Sequence, residues 1–410
     1  MEKSDSVGSE PLRQEGDELS RDRCVDDGKA GVRYDRSKSY RWNYDHPPDL
    51  ATEQNLAIEQ DLVIEEGLVN EQVSSRQSKD LHRQEDVPVT DESGARWDFL
   101  GIPVASPLGI AAGPLLNSAW CLYYAARGFD VLTYKTVRSS ARECYAMPNL
   151  VPVKDSRMQG GEASVHRSDR MGGSWAVSFG MPSSSPEVWR RDVEFARANL
   201  RSDQVLSVSI VGTQQDGWGL SELAEDYAQC AFWAVQSGAD VIEANFSCPN
   251  VTTCDGQLYQ DPDQSKLVAS EIRRRIGAVP LVIKIGFQPD CQSAIELIRS
   301  LDDVVDGLSM TNSLASRVTD IDGSFLFGGE HRGICGDAIF HASRDQVSRF
   351  SRAVTEVGSA IKLIGVGGIR TAEQVRSYLA AGASACHLAT SVMTDPEIGF
   401  RLSSSLRTSA

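Results

Sequence analysis

Eight short β-like runs, each followed by a longer stretch of helical pattern, constrain this chain more than any other feature. They fall at 108–113, 131–136, 205–211, 241–245, 281–285, 307–312, 363–368 and 386–390. Between them lie periodic apolar patterns such as 220–236 and 371–381, with Gly238, Gly368 and Gly382 at the joins. Eight β/α units in some 300 residues predict an α/β fold of the TIM (β/α)8 barrel type, somewhat elaborated. A doubly wound open sheet is the alternative, but it does not need eight evenly spaced strands.

The barrel is expected over 96–405, starting near Trp97. Residues 1–95 form a different kind of chain. They hold 23 acidic and 12 basic residues, so −11 of the net charge of −16 lies there and only −5 on the remaining 315 residues. This acidic, low-complexity leader is expected to be mostly disordered. Within it, 52–72 repeats with period six, which fits neither a helix nor a heptad. The aromatic segment Tyr40–Pro48 is the exception: it reads equally well as a clip onto the body or as an exposed stretch.

No apolar run reaches the length of a membrane span, and the first residues have neither a signal core nor a presequence character. The nine cysteines show no zinc or cluster spacing, so no metal is expected, and a reducing cytoplasm is. The acidity argues against nucleic acid as partner.

Chemistry gathers where the strands end. The run at 241–245 stops at Asn245-Phe-Ser-Cys-Pro-Asn250, since Pro249 cannot donate to a ladder. Two carboxamides and the Cys248 thiol are thereby crowded together. Other strand ends supply Ala111-Ala112-Gly113, Lys135-Thr136, Lys284, Thr311-Asn312-Ser313, Gly365-Val-Gly367-Gly368 and Thr390. In a barrel all of these face one mouth. Two lysines inside apolar strands are costly without partners, and suggest an anionic or electron-rich ligand. The Gly367-Gly368 pair with Thr390 reads as a phosphate site.

Residues 97–400 resemble the dihydroorotate dehydrogenase family of FMN-dependent barrels. The resemblance is carried, in family order, by Pro107–Gly113, Tyr134-Lys-Thr136, Asn245–Asn250, Lys284, Thr311-Asn-Ser313, Gly333–Gly336 and Gly365–Gly368. It implies oxidation of dihydroorotate to orotate, a step of pyrimidine biosynthesis. Cys248, a cysteine as in the soluble class 1 enzymes and the related dihydropyrimidine dehydrogenases where the membrane-bound class 2 enzymes carry serine, would be the base that takes a proton from the carbon beside the carbonyl. Hydride would leave the neighbouring carbon for flavin N5. Lys135 would touch flavin and substrate, and Asn245, Asn250, Asn312 and Ser313 would bond the pyrimidine ring. Lys284 would sit by the flavin N1–C2 edge. The cofactor-binding set would be Ala111, Ala112, Gly113, Lys135, Thr136, Asn245, Lys284, Thr311, Gly336, Gly367, Gly368, Ala389 and Thr390. A soluble electron acceptor is implied without being named, and a homodimer is compatible with a family that is commonly dimeric.

Three features depart from the family pattern. Val177 stands where members usually carry an orotate-binding asparagine. Cys335 and Ala389 replace glycines common near the flavin phosphate, and the long leader is foreign to the soluble classes. The first keeps other substrates open: another dihydropyrimidine, or a cyclic amide or enone. A Schiff-base aldolase barrel using Lys135 or Lys284, and a flavin-binding scaffold without turnover, are the readings from other classes.

Overall fold

The computed structural model describes residues 33–49, 97–154, 156–247 and 257–407. The six-residue repeat, Cys248 and Asn250 lie outside them. In chain order the elements are α1 (Tyr40–Asp45), β1 (Trp97–Phe99), β2 (Ile102–Val104), β3 (Leu108–Ile110), α2 (Ser118–Ala125) and β4 (Val131–Val137). Then come β5 (Leu150–Pro152), β6 (Ser164–His166), β7 (Ser174–Val177), α3 (Pro186–Asn199), β8 (Val205–Ile210), α4 (Leu220–Gln236) and β9 (Val241–Asn245). They are followed by α5 (Pro262–Ile276), β10 (Leu281–Lys284), α6 (Cys291–Leu301), β11 (Gly307–Met310), β12 (Leu314–Thr319) and β13 (Arg332–Gly336). The last are α7 (Phe340–Val357), β14 (Lys362–Val366), α8 (Ala372–Ala380), β15 (Ala385–Leu388), α9 (Thr390–Thr394) and α10 (Ile398–Arg407).

Eight strands close a parallel barrel in the order β3-β4-β8-β9-β10-β11-β14-β15, with β15 pairing back to β3. They coincide with the eight runs seen in the sequence, and closure leaves no place for an open sheet. Each strand divides its side chains by alternation. Outward residues such as Leu132, Tyr134, Ile242, Ile283 and Leu308 pack with Trp189, Tyr227, Val268 and other helix residues. Inward residues Val131, Val205, Val241, Val282, Ile364 and Ala385 fill the amino-terminal half with Phe99. Phe99 arrives on the hairpin β1–β2, whose turn residues Leu100 and Gly101 take φ of 56° and 87°, as a tight two-residue turn requires.

The next inward positions are polar and buried: Thr133, Ser207, Glu243, Lys284, Ser309 and His387. Gly109 makes room for the imidazole, since a Cβ there would lie 2.4 Å from His387 Cδ2. The lumen is thus oil at one end and polar below the mouth at the other.

Two insertions elaborate the barrel, one after β4 and one after β11. Their strands form a second sheet, β5-β7-β13-β12-β6, over a small core of Val153, Val165, Ala176, Leu314 and Ile334. Both insertions leave from carboxyl ends of barrel strands, which places their loops around the mouth.

Part of the leader belongs with the body. Asn43 is buried, and its carbonyl accepts from Trp120 Nε1 at 3.2 Å. Asn117 Nδ2 donates to Tyr44 O at 2.9 Å. The aromatic segment is therefore a clip, and Tyr34, in a stretch expected to lack structure, is buried as well. Among the described residues, no helix is long and apolar enough to cross a membrane, and no cluster of His, Cys, Asp or Glu is suited to a metal ion.

Candidate active site

Lys135 lies near the end of β4, where the pairing with β8 shifts register between Tyr134 and Val137. A bulge of this kind re-aims side chains at a barrel rim. Tyr134 points outward, its hydroxyl donating to Asp192 at 2.6 Å, while Lys135 turns to the mouth. Its Nζ donates to the Pro182 carbonyl and, at 3.3 Å, to Thr136 O. Burial pulls the ammonium pKa down to about 7; Cys144 opposes this and Arg138 adds to it. Desolvation without a carboxylate partner is the physical cause.

The mouth cavity brings together Ala112, Gly113, Lys135, Thr136, Asn245, Lys284, Asn312 and Ser313. Asn245, Ser247 and Asn312 interlock. Ser247 N donates to Asn245 Oδ1 at 3.0 Å, and Asn312 Nδ2 donates to Ser247 O at 2.7 Å. This bracket holds the chain where it leaves β9, just before Cys248. Lys284, at the end of β10, faces Glu243 across 3.8 Å.

One wall of the mouth is apolar. Val177, Phe179, Gly180, Met181 and Pro182 form it, with Leu116 and Tyr40. Gly180 and Met181 take successive positive φ of 72° and 52°. A methionine there is uncommon and marks a conformation imposed by its surroundings. The buried Arg138 supplies that constraint, donating from Nε to Met181 O at 3.2 Å and from Nη1 to Gly212 O at 2.6 Å.

A second cavity continues the first, sharing Asn312 and Cys335 with it. Thr311, Gly336, Gly367, Gly368, Ala389 and Thr390 line it. Gly336 and Gly368 have φ of 98° and 69°, and a Cβ on Gly368 would stand 2.9 Å from Gly336 O. A side chain at either glycine would collide with the chain around the cavity, at Gly336 with Gly173 O and at Gly368 with Phe340. Cys335 sits at the junction, and burial pushes its thiol up to about 12, so it stays protonated. The buried hydroxyl of Thr311 has no hydrogen-bond partner within the protein. The partly apolar mouth, the unpartnered Thr311 hydroxyl and the adjoining glycine-lined cavity are a set of residues that fits FMN.

Of the residues expected from sequence, Ala111 alone among the described ones lies off both cavities. It packs inside the barrel with Val131 and Val366. Tyr40, Arg138, Glu243, Phe179 and Met181 were not anticipated as part of the site. Glu243 carried the same signal as Lys284, a charge inside an apolar strand; Tyr40 lay in the aromatic clip. The wall from Phe179 to Met181 carried no polar signal at all.

Fold and site define an α/β barrel whose mouth carries two lysines and runs into a glycine-lined cavity. The sequence model for the family described as dihydroorotate dehydrogenase matches residues 95–408. A dihydroorotate dehydrogenase of Dictyostelium discoideum is 33% identical over 321 residues, which are 74% of this chain and 86% of that protein. A dihydroorotate dehydrogenase (quinone) of Bordetella avium is 27% identical over 324 residues, 76% of this chain and 82% of its own. Among solved structures, DHODH in complex with ferulenol from Eimeria tenella superposes with a TM-score of 0.61 at 17% identity, covering 79% of this chain and 87% of the other. That likeness shows the fold alone. The chain belongs to the dihydroorotate dehydrogenase family.

Proposed function

We propose that this protein is an FMN-dependent dehydrogenase that oxidises dihydroorotate to orotate. The observation that carries the reading is the convergence of Lys135, Asn245, Lys284, Asn312 and Ser313 on one mouth that runs into a glycine cradle. Family membership makes dihydroorotate the first candidate substrate and takes the Schiff-base alternative out of consideration.

Thr311, Gly336, Gly367, Gly368 and Thr390 would hold the phosphate end of FMN. Ala112, Gly113, Thr136 and Lys284 would border its ring. When bound, FMN supplies the two-electron acceptor for the carbon–hydrogen bond that breaks. The chain's own work is to hold the pyrimidine and take a proton. Lys135 faces the substrate side as a donor to its anionic edge, and Asn245, Asn312 and Ser313 offer amide and hydroxyl groups to the ring. Cys248 follows directly on the bracketed Ser247, and is the proposed base for the proton beside the ring carbonyl. A free thiol has a pKa near 8.5, so turnover rises with pH until that group ionises. Asn250 is the proposed further ring contact. The scattered cysteines favour a cytoplasmic setting.

One observation favours a second substrate. Val177 and Met181 make the wall apolar where an asparagine would bond a carboxylate, which suits a dihydropyrimidine without that group. Anaerobic mixing of the yellow protein with dihydroorotate distinguishes the two. The visible flavin bands bleach and orotate forms stoichiometrically if dihydroorotate is the substrate. Bands that stay unchanged with dihydroorotate and bleach with dihydrouracil assign the second. The Cys248→Ala variant retains its flavin and bleaches at least about a hundredfold more slowly; unaltered bleaching removes Cys248 as the base.

A further inference from the structure

The wall nearest Lys135 is not made by the barrel. Tyr40 lines the mouth, and Lys135 Nζ stands 5.1 Å from the centroid of its ring. Tyr40 lies far outside residues 95–408, the part matched by the family model. It is nonetheless firmly placed. Its ring meets Phe179 edge-on at 6.0 Å, and Phe179 meets Tyr34 at 6.1 Å. The Ser39 hydroxyl caps α1 by accepting from Trp42 N at 3.1 Å. Asn43 ties the segment to itself, donating to Asp35 O at 2.9 Å and Ser39 O at 3.0 Å. Asn117 and Trp120 tie it to α2.

We propose that Tyr40 is a positioning residue for Lys135: its ring roofs the ammonium, keeps water from it and holds it against the Pro182 carbonyl. A lysine side chain has four rotatable bonds and a strongly hydrated head. On an open rim it would extend into solvent. Here the aromatic face offers the cation a weak electrostatic partner while excluding the water that would otherwise stabilise it. The depressed pKa of Lys135 agrees with this, burial being its largest cause. The other groups facing Lys135 are Cys144 from the segment after β4, Arg138 just past the end of β4 and Lys284 across the mouth. Arg138 and Lys284 are cationic, so neither holds the ammonium in place. Cys144 is held protonated by burial, which pushes its thiol up to about 11. The positioning therefore falls to Pro182, Thr136 and the Tyr40 ring.

This inference rests on the assignment of Lys135 to the substrate side, but it can be tested without substrate. Competitive acetylation with acetic anhydride across pH, read by mass spectrometry of the peptide holding Lys135, gives the midpoint of that amine in the intact protein. Tyr40→Ala admits water, and the midpoint climbs by at least about one pH unit towards the ordinary lysine value. Tyr40→Phe keeps the ring face and the wild-type midpoint. Tyr40→Leu excludes water but has no quadrupole, so its midpoint falls at or below the wild-type value. An unchanged midpoint in Tyr40→Ala overturns the proposal, as does a Tyr40→Phe variant that behaves like Tyr40→Ala. Failure of dihydroorotate to bleach the flavin would leave this result standing, so the two readings fail separately.

Discussion

Lys284 Nζ stands 3.8 Å from Glu243 Oε1 inside the barrel, with both side chains buried. Their strands are parallel neighbours in which Lys284 pairs with Asn245 and Val282 with Glu243. The acid therefore lies one inward position below the lysine, on the side away from the mouth. Its Oε1 has no hydrogen-bond partner, so the lysine charge is what compensates it. Removing one member of a buried pair leaves the other uncompensated, which costs about 3–5 kcal/mol. Lys284→Met should lower the stability of the flavin-free protein by that order, read from urea unfolding. The double variant Glu243→Gln/Lys284→Met should regain much of it. Strictly additive losses would show that the two groups do not act as a pair.

Gly336 is a second point where geometry allows little choice. Its φ is +98°, and a Cβ there would lie 2.0 Å from Gly173 O and 2.8 Å from Ser174 Cα. Both are backbone atoms, so no side-chain movement relieves the clash. Gly336→Ala is expected to cost at least about 2 kcal/mol through strain and displacement of β7 from β13. The purified variant should also carry less flavin per chain, read from the ratio of visible to ultraviolet absorbance. Full flavin content at wild-type stability would show that the cradle adapts.

Much of this was legible because barrel strands end in functional groups. The runs at 131–136 and 281–285 were recognisable as strands by their apolar residues, and as site-bearing by the single lysine in each. The same logic applied to Glu243 in Val241-Ile-Glu-Ala-Asn245, but its significance depends on the neighbouring strand, which sequence does not display. The second sheet was not legible. Its strands are three to six residues long, and β6 pairs with β12 about 150 positions away. The contribution of Tyr40 was hidden for the same reason: a lone aromatic segment has no address until its partners Asn117 and Trp120 are in place. Val177 is the reverse case: a missing amide in a family pattern drew attention to the segment that the structure shows to be an apolar wall of the mouth.

His387 is buried in the lumen with neither ring nitrogen hydrogen-bonded within the protein. Burial, aided by Lys284, pulls its pKa down to about 3. The folded protein thus holds this imidazole neutral while the unfolded chain protonates it below about 6.5. The unfolded state binds more protons throughout that interval, so stability rises with pH between about 3 and 6.5 and is fully present above it. The contribution is on the order of 1.4 kcal/mol per pH unit within the window. His387→Gln, which cannot titrate, should flatten the acid limb of the unfolding free energy by about that slope. An unchanged slope would mean that the ring is hydrated and titrates normally.

The apolar wall gives a directional test of substrate choice. Val177 ends β7, its backbone paired to Leu150 and Gly333 on either side, and its side chain lines the mouth with Lys135 and Asn312. An asparagine there keeps the ladder, since only the side chain changes. Its amide would donate towards the anionic edge of orotate, and a hydrogen bond to a charged group contributes about 1.5–3 kcal/mol. At about 1.4 kcal/mol per tenfold, Val177→Asn should tighten orotate by roughly ten- to a hundredfold, measured by titration calorimetry or by the perturbation of the flavin spectrum. Uracil, the same ring without the carboxylate, should gain nothing, because it has no anionic edge to receive the amide. Equal changes for orotate and uracil would place the carboxylate elsewhere in the mouth. Weaker orotate binding together with tighter uracil binding would assign this wall to a less polar substrate.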